Sequence, residues 1–111
     1  MKKFLVIYGS PISAREQMAS ATPEQAKAGM AAWMAWSQKA GKAIVDLGAP
    51  LGSSATVAGG KATDSKSEIS GFSILQAESR DALLAILDGH PHFKMPGGTI
   101  EVHEFLPLPG M

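Results

Sequence analysis

All three histidines of this 111-residue chain lie between positions 90 and 103. They are His90, His92 and His103, and they occupy a segment that reads as a helix end, a His-Pro-His turn, a glycine pair and a final strand. Histidine is the side chain whose ordinary pKa puts its change of charge near neutral pH. Acid-base chemistry in this protein is therefore expected in this segment.

His103 is the strongest candidate for a catalytic base. In an extended strand it alternates with its neighbours, so it shares one face with Glu101 and Phe105. A carboxylate two residues away can orient an imidazole and raise its basicity, as general base catalysis requires. The alternative is a histidine that makes a hydrogen bond in an interface or faces water, which is the commoner situation for this residue type.

His90 and His92 flank Pro91 and are candidates for binding a ligand. With Glu101 nearby they would make part of a metal site, because imidazole suits zinc, nickel and copper. A bound metal normally needs three or four converging ligands, and only two are adjacent here. The sequence therefore favours a polar turn that ends a helix, and predicts neither a metal nor another cofactor.

Asp46 and three aromatic residues complete the set of candidates. Asp46 follows an apolar pair, and a carboxylate in such surroundings can act as a base. The alternative is an aspartate that caps a turn. Tyr8, Trp33 and Trp36 can line an apolar cleft that accepts a ring, although aromatic residues spaced along a helix more often belong to a core.

Composition limits the classes of function. Ten basic and ten acidic residues balance, so the basic excess typical of nucleic-acid-binding proteins is missing. The apolar run from Phe4 to Tyr8 is too short for a signal peptide or a membrane span. There is no cysteine, which excludes disulfides and thiolate nucleophiles and fits a cytoplasmic location. The length predicts a single domain over residues 1–111.

The helices and strands that must position these residues alternate in a simple order. Residues 12–21 and 61–68 are expected to be loops, and residues 44–52 an irregular connection. The predicted elements are a strand over 4–8, a helix over 22–40, strands over 53–58 and 71–77, a helix capped by Ser79 that stops at Gly89, and a strand over 100–106. This βαββαβ order predicts a ferredoxin-like α+β fold with an antiparallel sheet.

The first helix has the clearest boundaries. Thr22 and Gln25 form a capping box around Pro23, and Gly41 follows the last helical residue. At 100° per residue, one face should pack on the core with Trp33 at its centre and Trp36 nearer the edge. The residues of that face are Ala26, Gly29, Met30, Trp33, Ser37 and Ala40.

Several short motifs together resemble the YCII-related family, and more closely its DGPF-type branch. They are Phe4-Leu-Val-Ile-Tyr8, Trp33-Met-Ala-Trp36, Asp46-Leu-Gly-Ala-Pro-Leu51, Glu68-Ile-Ser-Gly-Phe72, His90-Pro-His92 and Ile100-Glu-Val102. The resemblance implies ferredoxin-like domains that pair as a homodimeric α+β barrel. Helices would then cover one face of the sheet and the partner's sheet the other.

The chain departs from the family pattern at three places. The resemblance implies a histidine-aspartate pair with the histidine on the first helix, where this chain has Met30, while Asp46 lies near the aspartate position. The Asp-Gly-Pro-Phe signature should fall near Gly59–Ala62, where only a glycine-containing loop is present. In the last strand, His103 replaces an arginine.

Two functional hypotheses follow. The first is a small cofactor-independent acid-base enzyme, of lyase or isomerase type, acting on a small, partly apolar molecule. His103 or Asp46 would move the proton, Glu101 would orient the histidine, and Tyr8 and Trp33 would shape the pocket. The alternative is a non-catalytic ligand-binding or accessory homodimer. Neither hypothesis involves nucleic acid or a membrane.

Overall fold

The computed structural model describes residues 1–109. Two short 3-10 segments, Gly41–Ala43 and Pro91–Lys94, accompany the main elements. In chain order these are β1 (Lys2–Gly9), α1 (Ala14–Ser20), α2 (Pro23–Ala40), β2 (Ile44–Pro50), β3 (Ser54–Ala58), β4 (Lys61–Ser65), β5 (Ile69–Ala77), α3 (Arg80–Leu87) and β6 (Thr99–Glu104).

Four of the strands form one antiparallel sheet in the order β2-β5-β1-β6. The strands β3 and β4 pair only with each other, as a hairpin inserted between β2 and β5. Without the hairpin, the order along the chain is βαββαβ and the two central strands are β1 and β5. The predicted α+β, ferredoxin-like fold with an antiparallel sheet is confirmed.

The structure corrects the predicted second strand of the sheet, which is β2 at 44–50 and not the segment at 53–58. The register of β2 against β5 shifts twice, between Ile44 and Asp46 and again between Asp46 and Ala49. Such bulges destroy the period-two pattern that marks a strand in sequence. Gly48 lies so close to the Phe72 carbonyl that any side chain there would overlap it.

Two segments that were expected to be loops are regular. Residues Ala14–Ser20 form α1, whose cap Ser13 accepts a hydrogen bond from the Glu16 backbone N–H at 3.1 Å. The Ser-x-x-Glu pattern at 13–16 is a helix-start signal that the sequence does contain. Residues Lys61–Ser65 form β4 across the Gly59–Gly60 turn from β3.

Helices α2 and α3 cover one face of the sheet and enclose the core. The capping box of α2 is confirmed, but its predicted inward face is wrong in its first half. Met30 is exposed, Trp33 is half-buried, and Trp36 is the buried residue of α2. The Trp36 indole N–H donates to the Ile86 carbonyl at 3.2 Å, which ties the second half of α2 to α3. The core comprises Phe4, Val6, Tyr8, Trp36, Leu75, Ala77, Leu83 and Leu87.

The opposite face of the sheet is covered by no element of the described chain, and we call it the open face. Cross-strand partners share a face, so the register defines two rows across it. The first row is Asp46, Ile74, Leu5 and His103, and the second is Ala49, Phe72, Ile7 and Glu101. Its central apolar residues are half-buried and stand outside the core.

A membrane-crossing helix would have to be longer and more apolar than any found in residues 1–109.

Candidate functional site

The candidate residues divide between the two faces of the sheet. Glu101 and His103 lie on the open face, and so does Asp46, because each pairs with an open-face residue of the neighbouring strand. Tyr8 points the other way and packs beneath the helices with Trp36. The structure therefore does not bring the acid-base group and the aromatic group into one pocket.

His103 and Glu101 form a close pair on the open face. The Nε2 atom of His103 lies 2.5 Å from Oε1 of Glu101. The two side chains are 52% and 68% exposed, respectively. With its proton on Nε2, the imidazole donates to the carboxylate and keeps its Nδ1 lone pair available to accept a proton from another molecule. This is the orientation that a general base needs.

Asp46 stands at the far side of the same row. Three strand spacings separate it from His103, which is about 14 Å at the usual distance between neighbouring strands. Its Oδ1 accepts a hydrogen bond from the Gly48 backbone N–H at 2.8 Å. Within one chain, Asp46 therefore stabilises the irregular end of β2 and is out of reach of His103.

The five candidate ligand-binding residues do come together, in a packed cluster under the helices. The ring of His90 lies 4.3 Å from that of Trp36 and 4.6 Å from that of Trp33, measured between ring centroids. Tyr8 lies 5.1 Å from His90 and 5.2 Å from both Trp33 and His92. The five rings pack against one another, and the cluster forms one end of the core.

Two hydrogen bonds hold the His-Pro-His turn in this cluster. The His92 backbone N–H donates to Nδ1 of His90 at 3.0 Å, and His92 Nε2 donates to the Gly9 carbonyl at 2.8 Å. The proton of neutral His90 is therefore on Nε2, which is buried and has no hydrogen-bond partner in residues 1–109. Burial, followed by the nearby charge of His92, lowers the pKa of His90 to about 4. His90 is neutral at physiological pH.

Tyr8 begins a short buried chain of hydroxyl groups. Its O–H donates to Oγ of Ser73 at 2.8 Å, because the Ser73 hydroxyl itself donates to the Leu47 carbonyl at 2.6 Å. Burial raises the pKa of Tyr8, and the hydrogen bond to Ser73 partly offsets that rise. The chain connects β1, β5 and the bulged part of β2.

The histidine turn does not assemble a metal site in the described residues. No group of three or more His, Cys, Asp or Glu side chains converges anywhere in residues 1–109. Nδ1 of His90 and Nε2 of His92 are both engaged in hydrogen bonds with the backbone.

Sequence reasoning missed a polar cleft at the end of the sheet. It has a volume of about 440 Å³ and lies between the start of α1, the segment after β2 and the base of the hairpin. Arg15, Glu16 and Lys66 line it, together with six serines. The signal that could have revealed it is the recurrence of serine in all three segments.

The antiparallel sheet, its strand order and the two covering helices define a ferredoxin-like α+β domain. A family model described as "YCII-related domain" matches residues 1–108. The chain therefore belongs to the YCII-related family. No curated protein matches it.

One solved structure similar to this chain is the 5-chloro-2-hydroxyhydroquinone dehydrochlorinase TftG from Burkholderia phenoliruptrix AC1100, in complex with 2,5-dihydroxybenzoquinone. The two chains are 22% identical, and the match covers 96% of this chain and 94% of that one with a TM-score of 0.52. At that identity the likeness supports the fold.

Proposed function

We propose that this protein is a small cofactor-independent acid-base enzyme, of lyase or isomerase type, that acts on a small, partly apolar molecule. The observation that carries the proposal is the His103–Glu101 pair, in which Nε2 lies 2.5 Å from Oε1. Half-buried apolar side chains on the two central strands lie beside the pair on the open face. The cytoplasm is the location we propose for it, as its composition suggested.

The proposed reaction begins when Nδ1 of His103 accepts a proton from the substrate. The electron pair left by that proton moves toward the carbon that carries the leaving group and forms a new double bond, while the leaving group departs with its own bonding pair. In a chlorinated hydroquinone, the keto tautomer reacts, in which a hydroxyl proton has already moved to the ring carbon that carries chlorine. Glu101 stabilises the imidazolium cation that forms, through the hydrogen bond at Nε2. The proton passes to solvent afterwards, so that no covalent intermediate and no cofactor are required.

The active unit that we propose is a homodimer in which two open faces pack together. Leu5, Ile7, Phe72 and Ile74 form a continuous apolar centre on this face, with Glu101 and His103 at one side. A partner's sheet would remove that centre from water and enclose the histidine pair. It would also supply a second Asp46, since one chain holds its own too far from His103. We also propose that the protein belongs to the DGPF-type branch of its family.

Native mass spectrometry tests the dimer directly. We expect the mass of two chains at micromolar concentration, and the mass of one chain for Ile74→Glu, because a charge in the apolar centre of an interface is costly to bury. Lys61→Glu, in the hairpin, is the matched control and should remain dimeric. A wild-type monomer would contradict the paired-face arrangement.

The similar dehydrochlorinase suggests the first compound to test. We expect 5-chloro-2-hydroxyhydroquinone to lose HCl when incubated with the protein, measured as release of chloride. His103→Gln should lower the rate by about 100-fold or more, because it removes the general base. Glu101→Gln should lower it less, since it leaves the imidazole in place but removes the charge that orients it.

Glu104→Gln provides the control for this experiment. Glu104 neighbours His103 on the same strand, points to the other face and pairs with Lys2 at 3.3 Å, so its loss should leave the rate unchanged. Equal rates for wild type and His103→Gln would contradict the assignment of the base. The absence of both binding and turnover would contradict a hydroxylated aromatic substrate.

A non-catalytic ligand-binding or accessory dimer is the alternative that one observation favours. The first helix carries an exposed Met30 where the family pattern has a histidine, so the histidine-aspartate pair that the resemblance implies is incomplete in this chain. Saturable binding of 2,5-dihydroxybenzoquinone without any chloride release from the chlorinated compound would favour this alternative.

A further inference from the structure

The polar cleft at the end of the sheet has the size of a ligand site. Its volume of about 440 Å³ falls within the range of pockets that bind small molecules. It begins at Ser10, three residues beyond Ile7, which is the β1 residue that pairs with Glu101. None of the residues that line the cleft belongs to the two rows of the open face.

The charged residues of the cleft leave it with one net positive charge. Arg15 and Lys66 line it together with Glu16. The ion pairs formed by residues 1–109 are Lys2 with Glu104 and His103 with Glu101, so neither cation of the cleft is neutralised by an ion pair. The guanidinium of Arg15 lies against Gly52, with Nη2 3.5 Å from the position that a Cβ there would occupy. This contact places the Arg15 charge across the cleft.

Serine hydroxyls add further hydrogen-bond donors. Ser13 Oγ accepts from the Glu16 backbone N–H, and Ser67 Oγ accepts from the Ile69 backbone N–H, each at 3.1 Å. Because both oxygens already serve as acceptors, each hydroxyl has its proton left to donate. Together with the two cations, these hydroxyls offer hydrogen-bond donors that suit an anionic ligand rich in oxygen.

Backbone hydrogen bonds hold the walls of the cleft in place. The Ser10 N–H donates to the Glu68 carbonyl at 2.8 Å, and the Leu51 N–H donates to the Ser70 carbonyl at 3.0 Å. The side chain of Gln17 donates to the Ile12 carbonyl at 2.7 Å, which fixes α1 against the loop that precedes it. Walls that are already ordered lose little entropy when a ligand binds.

We propose that this cleft binds a small organic carboxylate. The planar guanidinium of Arg15 matches a carboxylate in a two-point hydrogen-bonded arrangement, with Lys66 as a second charge. One net positive charge suits a monoanion better than a phosphate dianion. Glu16 accepts from a hydroxyl group of the ligand, and Leu51 contacts the ligand's carbon skeleton. The site does not depend on the function proposed for His103.

Titration of the ¹⁵N-labelled full chain, followed by NMR, tests this site. The probes are sodium 2,5-dihydroxybenzoate, sodium benzoate, inorganic phosphate and uncharged benzyl alcohol. We expect saturable shifts with the two carboxylates, confined to amides of residues 10–16, 51–54 and 65–67, and tighter binding of the hydroxylated one. Arg15→Gln should weaken binding by at least about tenfold, because hydrogen bonds to a charged group are the strong ones.

Lys61→Gln is the matched control, since Lys61 lies at the turn of the same hairpin and outside the cleft. It should bind as wild type does, and so should His103→Gln. Unchanged amide shifts far from the cleft will show that each variant is folded. Shifts that do not saturate, or that persist in the Arg15→Gln, Lys66→Gln double variant, would overturn the site. Phosphate binding as tight as that of the carboxylates would overturn the assigned ligand class.

Discussion

On the helix-covered face of the sheet, histidines are packed among aromatic rings, whereas on the open face a histidine stands half exposed beside a carboxylate. His90 is 1% exposed, and its Nδ1 accepts a hydrogen bond from the His92 backbone N–H. The side chain of His103 is 52% exposed, and its Nε2 lies beside the Glu101 carboxylate. The two environments lie on opposite sides of one sheet. Residue type alone therefore does not decide whether a histidine is structural or available for chemistry; the face of the sheet does.

Neighbouring residues on β5 provide the largest test of this difference. Leu75 is fully buried under the helices, while Ile74 lies half-buried on the open face. Leu75→Ala should lower the free energy of unfolding by about 3 kcal/mol, because it leaves a cavity in the core. Ile74→Ala should cost about 1 kcal/mol at low protein concentration, as expected for a partly exposed side chain.

Urea unfolding at several protein concentrations measures both effects. The loss caused by Leu75→Ala should be independent of concentration. The loss caused by Ile74→Ala should grow with concentration, because the proposed dimer gains stability by association as concentration rises and the variant, with a weakened interface, gains less. Equal losses that do not change with concentration would contradict the distinction between the two faces.

The buried histidine turn should make stability depend on pH. The pKa of His90 is about 4 in the folded protein and near its ordinary 6.5 when unfolded, so the unfolded chain binds the proton first as pH falls. The part of the free energy of unfolding that depends on neutral His90 is fully present above pH 6.5 and is lost progressively as the pH falls toward 4. A shift of this size corresponds to about 3 kcal/mol. Chemical denaturation at pH 7, 5.5 and 4.5 measures it.

One variant separates His90 from the other groups that titrate in this range. His90→Asn keeps an oxygen that can accept from the His92 backbone N–H, as asparagine does in turns, but it cannot gain a proton. It should flatten most of the pH dependence that the wild-type protein shows between pH 7 and 4.5. A His90→Asn protein with the full wild-type slope would show that other groups cause it.

The hydroxyl chain at Tyr8 allows a smaller test of the covered face. Tyr8→Phe removes one end of the chain and leaves the Ser73 hydroxyl bonded to the Leu47 carbonyl, at a cost of about 1 kcal/mol. Ser73→Ala leaves two buried groups without their partner and should cost about 2 kcal/mol. Thermal unfolding of the two variants compares them. A larger loss in Tyr8→Phe would contradict the assigned direction of the hydrogen bonds from Tyr8 to Ser73 and from Ser73 to the Leu47 carbonyl.

The boundaries of α2 and α3 were predictable because capping residues at their first turns mark them in the sequence. Thr22, Pro23 and Gln25 begin α2 by satisfying its first backbone N–H groups, and Ser79 begins α3 in the same way. The strand β2 was not predictable, since its two register shifts remove the alternation on which strand prediction depends. The hydrogen bonds that build β2 come from β5, which lies more than twenty residues away.

The sequence by itself determined the fold class, the family and the placing of Glu101 beside His103, because side chains two apart on a strand share a face whatever surrounds it. Only the tertiary structure decided that His90 and His92 are buried while His103 is exposed, and that Asp46 stands about 14 Å from His103 across the sheet. It also decided that Arg15 and Lys66, about fifty positions apart, line one cleft. Burial and distance between remote residues arise from packing, and no local pattern of residues encodes them.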